Sequence, residues 1–156
     1  MGHQWIDTLP EIEEIIRQCE ACHLAMTDEN NLPYLVPMNF GYRDGWIYFH
    51  GDQQGKKMEL LRKNPIVSIS MSTGHTLFQR HEQVACSYGM EYKSVVIRGK
   101  VELIEDYNEK LEALSIIMAQ YTDKDFTFSQ PSVINVAVFK VPATTIRGKI
   151  FGRFIR

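Results

Sequence analysis

The order of its periodicities restricts the fold of this chain more than any other feature. Short strand-like runs follow one another, and the few helical stretches do not alternate with them. His23 to Thr27, Tyr34 to Tyr42, Trp46 to His50, Ile66 to Ser72, Glu91 to Ile104, Val133 to Val141 and Thr144 to Ile150 read as strands. Asp28 to Pro33 and Arg43-Asp44-Gly45 are turn formers, so the first three strands make an antiparallel meander. Gly99 marks a bend in the long strand. Helices are expected over Thr8 to Glu20, Lys56 to Lys63 and from a cap at Asp106 to Tyr121. Without strand–helix alternation, a parallel doubly wound sheet is excluded, and a mainly β barrel or an α+β domain remains.

Thr8 is expected to cap the first helix, whose Leu9, Ile12, Ile15, Ile16 and Cys19 share a face. In the last helix Tyr107, Leu111, Leu114, Met118 and Tyr121 are expected to pack into the core. Gly74 to Gly89 has no clear period and reads as a loop over a pocket.

The 156 residues suit one domain, 1–156, able to bury a core without staples. A net charge of −2 gives no global reason to bind nucleic acid or an anionic membrane. No apolar run approaches the ~18–20 residues of a membrane helix, and the N-terminus lacks the pattern of a secretory signal. Three cysteines are too few for a disulfide scaffold, so a reducing cytoplasm is expected.

The most informative unit runs from Trp46 to Asn64, WIYFHGDQQGKKMELLRKN. A strand enters a loop bracketed by Gly51 and Gly55, and the loop enters a helix that begins with Lys56 and Lys57 and is stopped at Asn64-Pro65. Amide groups at a helix start attract anions, and the glycines permit close approach. Lysine in a first turn opposes the helix dipole by a few tenths of a kcal/mol, roughly, unless an anion is bound there. Three residues separate the glycines and Lys57 follows Lys56, so this is not a nucleotide-hydrolysing Walker loop. The residues alone leave open a solvated turn with two exposed lysines.

Tyr48 to Gly51 (YFHG), Gly55 to Lys57 (GKK) and Lys63 to Val67 (KNPIV) resemble the pyridoxamine 5'-phosphate oxidase-like split barrels, and more narrowly their nitroimidazole-resistance branch. Pro33 to Tyr42 (PYLVPMNFGY) and Glu91 to Ile104 (EYKSVVIRGKVELI) resemble the hairpin and long strand of that branch, in the same order. The resemblance implies a six-stranded antiparallel split β-barrel with Greek-key connections, and a homodimer with FMN at its interface, FAD being possible. It implies phosphate contacts from Lys56 and Lys57, flavin contacts from Pro37, Met38, Asn39, His50, Gly51, Ser94 and Val95, and reduction of 5-nitroimidazole-type compounds with His50 beside the flavin. The alternatives within this resemblance are a flavin-storing protein without turnover and a pyridoxamine-phosphate or haem-handling relative with another substrate.

The residues themselves support part of this. Trp46, Tyr48 and His50 share one strand face, and Ile47 and Phe49 share the other, which suits a barrel interior. His50 titrates near neutrality and can act as a proton donor, or simply bond to backbone at a strand end. Cys19 to His23 spells CxxCH, but haem attachment needs an exported chain, so two buried thiols are expected. The spacing of His75, His81 and Cys86 fits no zinc signature, and no metal is expected. The basic tail with Arg147, Lys149, Arg153 and Arg156 reads as a terminal strand, with a subunit or flavin contact as the functional alternative.

Overall fold

The computed structural model describes residues 2–152. Its elements are β1 (Gly2–Ile6), α1 (Leu9–Gln18), β2 (Cys22–Thr27), β3 (Pro33–Met38), β4 (Gly41–Arg43), β5 (Trp46–Asp52), α2 (Lys56–Lys63), β6 (Ile66–Gln79), β7 (Tyr88–Lys100), β8 (Glu102–Ile104), α3 (Tyr107–Ala119), α4 (Gln130–Asn135), β9 (Val136–Pro142) and β10 (Thr145–Gly152). All strand pairings are antiparallel. They form a six-stranded sheet, β1-β10-β7-β6-β2-β3, and a four-stranded sheet, β4-β5-β9-β8. The fold is mainly β and has the two-sheet layout of a split barrel.

The inner faces of the two sheets enclose one core. Ile47 and Phe49 of β5 are fully buried there, Phe49 stacked on Phe139 of β9 with ring centroids 5.1 Å apart. Ile12, Ile15 and Ile16 of α1 and Met58, Leu60 and Leu61 of α2 close the same core. The opposite face of β5 carries Tyr48 under α3, in a second cluster with Leu114, Val133 and Val138. The two faces expected of this strand are therefore both present, one in each cluster.

The structure departs from the expected elements at several points. Residues 2–6 form an unexpected edge strand on β10. The expected strand from Tyr34 to Tyr42 breaks at Asn39-Phe40, sending β3 to one sheet and β4 to the other. The loop expected over 74–89 shrinks to residues 80–87: β6 continues to Gln79 and pairs with β7, which starts at Tyr88, and an irregularity between Thr73 and Thr76 scrambles the period. α4 starts at Gln130, where a loop was expected, with Ser129 as its cap. Thr8 stands at the start of α1 in extended conformation, but its hydroxyl donates to the Glu11 carboxylate and does not cap the helix amides.

The expected apolar face of α3 is also corrected. Tyr107 and Tyr121 are exposed, and Lys110, Ala113, Leu114, Ile116 and Ile117 are the buried residues. The buried set contains the i, i+3, i+4, i+7 series 110, 113, 114, 117, hidden in the sequence because Lys110 belongs to it. The Lys110 stem is buried and its ammonium donates to the Val136 carbonyl at 2.9 Å. Asp106 does cap this helix, accepting from the Asn108 and Glu109 amides. A side chain at Gly41 would meet the α3 backbone at 2.7 Å, so glycine there lets the helix lie directly on β4.

Candidate anion-binding site

β5 ends at Asp52 and α2 begins at Lys56, with Gly51 and Gly55 on either side of the short link. Gly55 precedes the helix with φ 103°, a conformation that favours glycine. No side chain caps the first turn of α2. The first helical bond runs from the Glu59 amide to the Gly55 carbonyl, so the amides before it point out of the helix start.

Lys57 turns back from this start toward the core. Its ammonium lies 3.3 Å from the Met38 sulfur, and a Cβ on Gly51 would come within 2.8 Å of it. Lys57 is half-buried and has no ion pair among the described residues. Burial holds its pKa below the ordinary lysine value, against a smaller opposing pull from Asp52. A thioether is a weak acceptor, so the desolvation of this cation is only partly offset by Asp52, and the ammonium's one polar contact among the described residues is a sulfur.

Lys56 is exposed and rests its ammonium on the Tyr34 ring, 4.6 Å from the centroid. Tyr34, Val36 and Met38 share one face of β3 and pack on the core edge. Pro37 points to the other face, and Asn39 is exposed in the β3–β4 link. The Phe40 amide beyond that link donates to the Tyr121 hydroxyl at 3.0 Å, which fixes where the link lies.

His50 ends the β5 face that carries Trp46 and Tyr48. Much of the His50 side chain meets solvent, but partial desolvation of the imidazole first, and then the Lys57 charge, hold its pKa below the usual histidine value. The imidazole is therefore neutral at pH 7 and can both accept and donate a hydrogen bond. A histidine depressed in the folded state binds fewer protons there than in the unfolded chain, so stability is lost as pH falls through the ordinary histidine range. His50→Gln is expected to flatten the fall in Tm between pH 7.5 and 5.5, and a proton-NMR titration of His50 should give a pKa below 6.5. An unshifted titration contradicts the Lys57 contact.

The sequence profile of the family described as pyridoxamine 5'-phosphate oxidase matches residues 8–150. The chain belongs to this family. Among solved structures, one described as a candidate 5-nitroimidazole antibiotic resistance protein from Bacteroides thetaiotaomicron is 45% identical, with a TM-score of 0.86, covering 97% of this chain and 90% of the other. The flavocytochrome Anf3 of Azotobacter vinelandii shares the fold at 18% identity and a TM-score of 0.81, covering 96% of this chain and 70% of the other. A FAD-binding protein of Mesorhizobium loti shares it at 23% identity and a TM-score of 0.70, over 97% of this chain and 100% of the other. A search of curated proteins returns no match.

Within this family member the expected site residues divide into two groups. Met38, Gly51, Lys56 and Lys57 converge at the α2 start, with His50 close enough to feel Lys57. Ser94 and Val95 lie on β7, three strands from β3 and therefore ~14 Å away. Val95 is fully buried against the core, and half-buried Ser94 points to the outer face of the large sheet. Tyr34 and Tyr121 were missed. Tyr34 was legible, since it shares the period-two face of Met38; Tyr121 was not, since its partner is 81 positions away.

Other expected features fall outside this site. Cys19 and Cys22 are free and buried, and burial pushes their thiols up to about 11 and about 12. They stay protonated and unreactive at neutral pH. His75 stacks on Tyr92, and no cluster of metal-ligating groups occurs among the described residues. No helix of the described residues is long and apolar enough to cross a membrane. Arg153 and Arg156 lie outside the described residues.

Proposed function

We propose that this chain is a flavin-dependent reductase that holds FMN by its phosphate at the α2 start and reduces small electron-poor compounds, 5-nitroimidazoles among them. The half-buried Lys57, with only a sulfur for a partner, carries the proposal. A phosphate there would accept from Lys57, from Lys56 swung off Tyr34 and from the first-turn amides. The Gly51–Gly55 turn leaves room for it. The 45% identity to the Bacteroides protein supports the substrate class.

The flavin supplies the redox chemistry when bound. The protein's share is to fix the phosphate, to present Met38 and the Asn39 amide along the ring edge, and to keep a neutral imidazole at His50 for proton exchange with substrate. Beside the site runs β3, an edge strand of its sheet. Leu32 and Leu35 at that edge are about 60% exposed (61 and 60%). A second copy packed there would cover this apolar surface and bring its own Ser94 and Val95 strand toward the flavin. The proposed assembly is a homodimer with flavin between protomers, which this exposed apolar edge supports.

The test is direct. Purified protein should be yellow, and anaerobic addition of a 5-nitroimidazole should accelerate reoxidation of its reduced flavin. A colourless protein that also fails to bind added FMN or FAD would overturn the whole proposal. Flavin binding without acceleration would leave a storage protein.

A further inference from the structure

A second site lies at the other edge of the large sheet. β1 pairs with β10 from Gly2–Gly152 to Ile6–Gly148 and then leaves to start α1, so β10 has no partner on that side from Arg147 to Thr145. The gap is a cleft of about 460 Å³, within the ~300–1,000 Å³ of small-molecule sites. Trp5, Leu9, Ile12 and Ile146 make its apolar walls, with Asp7 and Arg147 at its mouth. Trp5 is 49% exposed and Leu9 51%, large apolar groups left uncovered beside charge. A hollow of about 270 Å³ lined by Val96, Arg98, Thr145 and Arg147 shares Arg147 with the cleft.

The two arginines share a face. Arg147 pairs with Val96 and Arg98 pairs with Thr145, which makes the arginines diagonal neighbours, ~7–8 Å apart at their bases. Neither guanidinium has an ion pair or hydrogen bond among the described residues. Arg147 stands 5.8 Å and Lys149 5.5 Å from the Trp5 ring centroid. In a chain of net charge −2, this is a cluster of unpaired cations around an exposed indole.

We propose that this cleft binds an adenosine 5'-phosphate group, with the base against Trp5 and Leu9, the phosphate between Arg147 and Arg98, and a ribose hydroxyl donating to Asp7. An indole accepts a planar base at low conformational cost. Paired guanidinium forks match phosphate oxygens. The source that carries this group is a separate adenine dinucleotide, such as an electron donor: the two phosphates of a FAD share one bridging oxygen, so a FAD held by its flavin phosphate at Lys57 cannot place its adenylate at the opposite edge of the sheet. The cleft and the Lys57 site lie at opposite edges of the sheet, so this inference stands without the flavin reading.

The probe is adenosine 5'-monophosphate, added to the full chain carrying Trp46→Phe so that Trp5 is the one remaining tryptophan. Saturable quenching of Trp5 emission is expected, with adenosine at least tenfold weaker. Arg147→Ala should raise the Kd at least tenfold, while Lys57→Ala leaves it unchanged. A reduced nicotinamide adenine dinucleotide should compete with the probe while FMN does not; a dinucleotide that fails to compete, or FMN competing equally well, overturns the assignment. Absence of saturable binding, equal binding to Arg147→Ala, or inorganic phosphate competing as well as the nucleotide overturns the proposal.

Discussion

Replacing Lys57 by methionine is expected to weaken FMN binding by about 10- to 100-fold while raising the Tm of the flavin-free protein. The affinity change is the loss of one charge-assisted phosphate bond, ~1.5–3 kcal/mol. The stability change has the opposite sign because, without an anion, the Lys57 ammonium is desolvated against Met38 and has only that thioether as acceptor. Methionine fills the same volume without a charge. At saturating FMN the order reverses, since wild type at ~100-fold excess over Kd gains ~2.7 kcal/mol from ligand linkage and the variant gains less. Removing Lys57 also takes away the second cause of the His50 shift, so the His50 pKa should move toward its ordinary value. Thermal melts with and without FMN and a flavin-fluorescence titration check the affinity and stability changes, and a proton-NMR titration of the variant checks the His50 shift. A variant that melts lower than wild type without flavin and binds FMN equally well removes the case for an anion site. Lys56→Ala should have the smaller effect, since Lys56 is exposed and already rests on Tyr34.

What the sequence made legible depended on range. The β2–β3 and β4–β5 hairpins, α2 with its stop at Asn64, and the two faces of β5 are set by residues within a few positions of one another and appear in the structure, whereas the single meander expected of these strands is split between two sheets at Asn39-Phe40. The convergence of Gly51, Lys56 and Lys57 is local too. The bringing of Met38 to Lys57 is not: it needs β3 to lie across the end of β5, and only the family resemblance carried it. Misreadings have one shared cause. Where a polar residue occupies a buried position, as Lys110 does, or where a register irregularity interrupts a strand, as between Thr73 and Thr76, simple periodicity fails. The edge strand β1 was invisible because four of its five residues are exposed, leaving no buried stripe to detect.

The β5 alternation leads to the largest stability effect expected here. Phe49 is fully buried and stacked on Phe139, while His50, the next residue, is exposed on the opposite face. Phe49→Ala removes a ring from between the two sheets and leaves a cavity whose walls, Ile47 and Phe139, are held in paired strands and cannot collapse freely. The expected cost is ~3–5 kcal/mol, a large part of the ~5–15 kcal/mol that holds a domain folded. His50→Ala on the same strand should cost under ~0.5 kcal/mol at pH 7, as exposed substitutions do. Urea melts of the two variants give the contrast. A small effect at Phe49 would mean that the sheets do not share one core. In that case β3 and the end of β5 would lose the rigid support that holds Lys57, half-buried, against Met38.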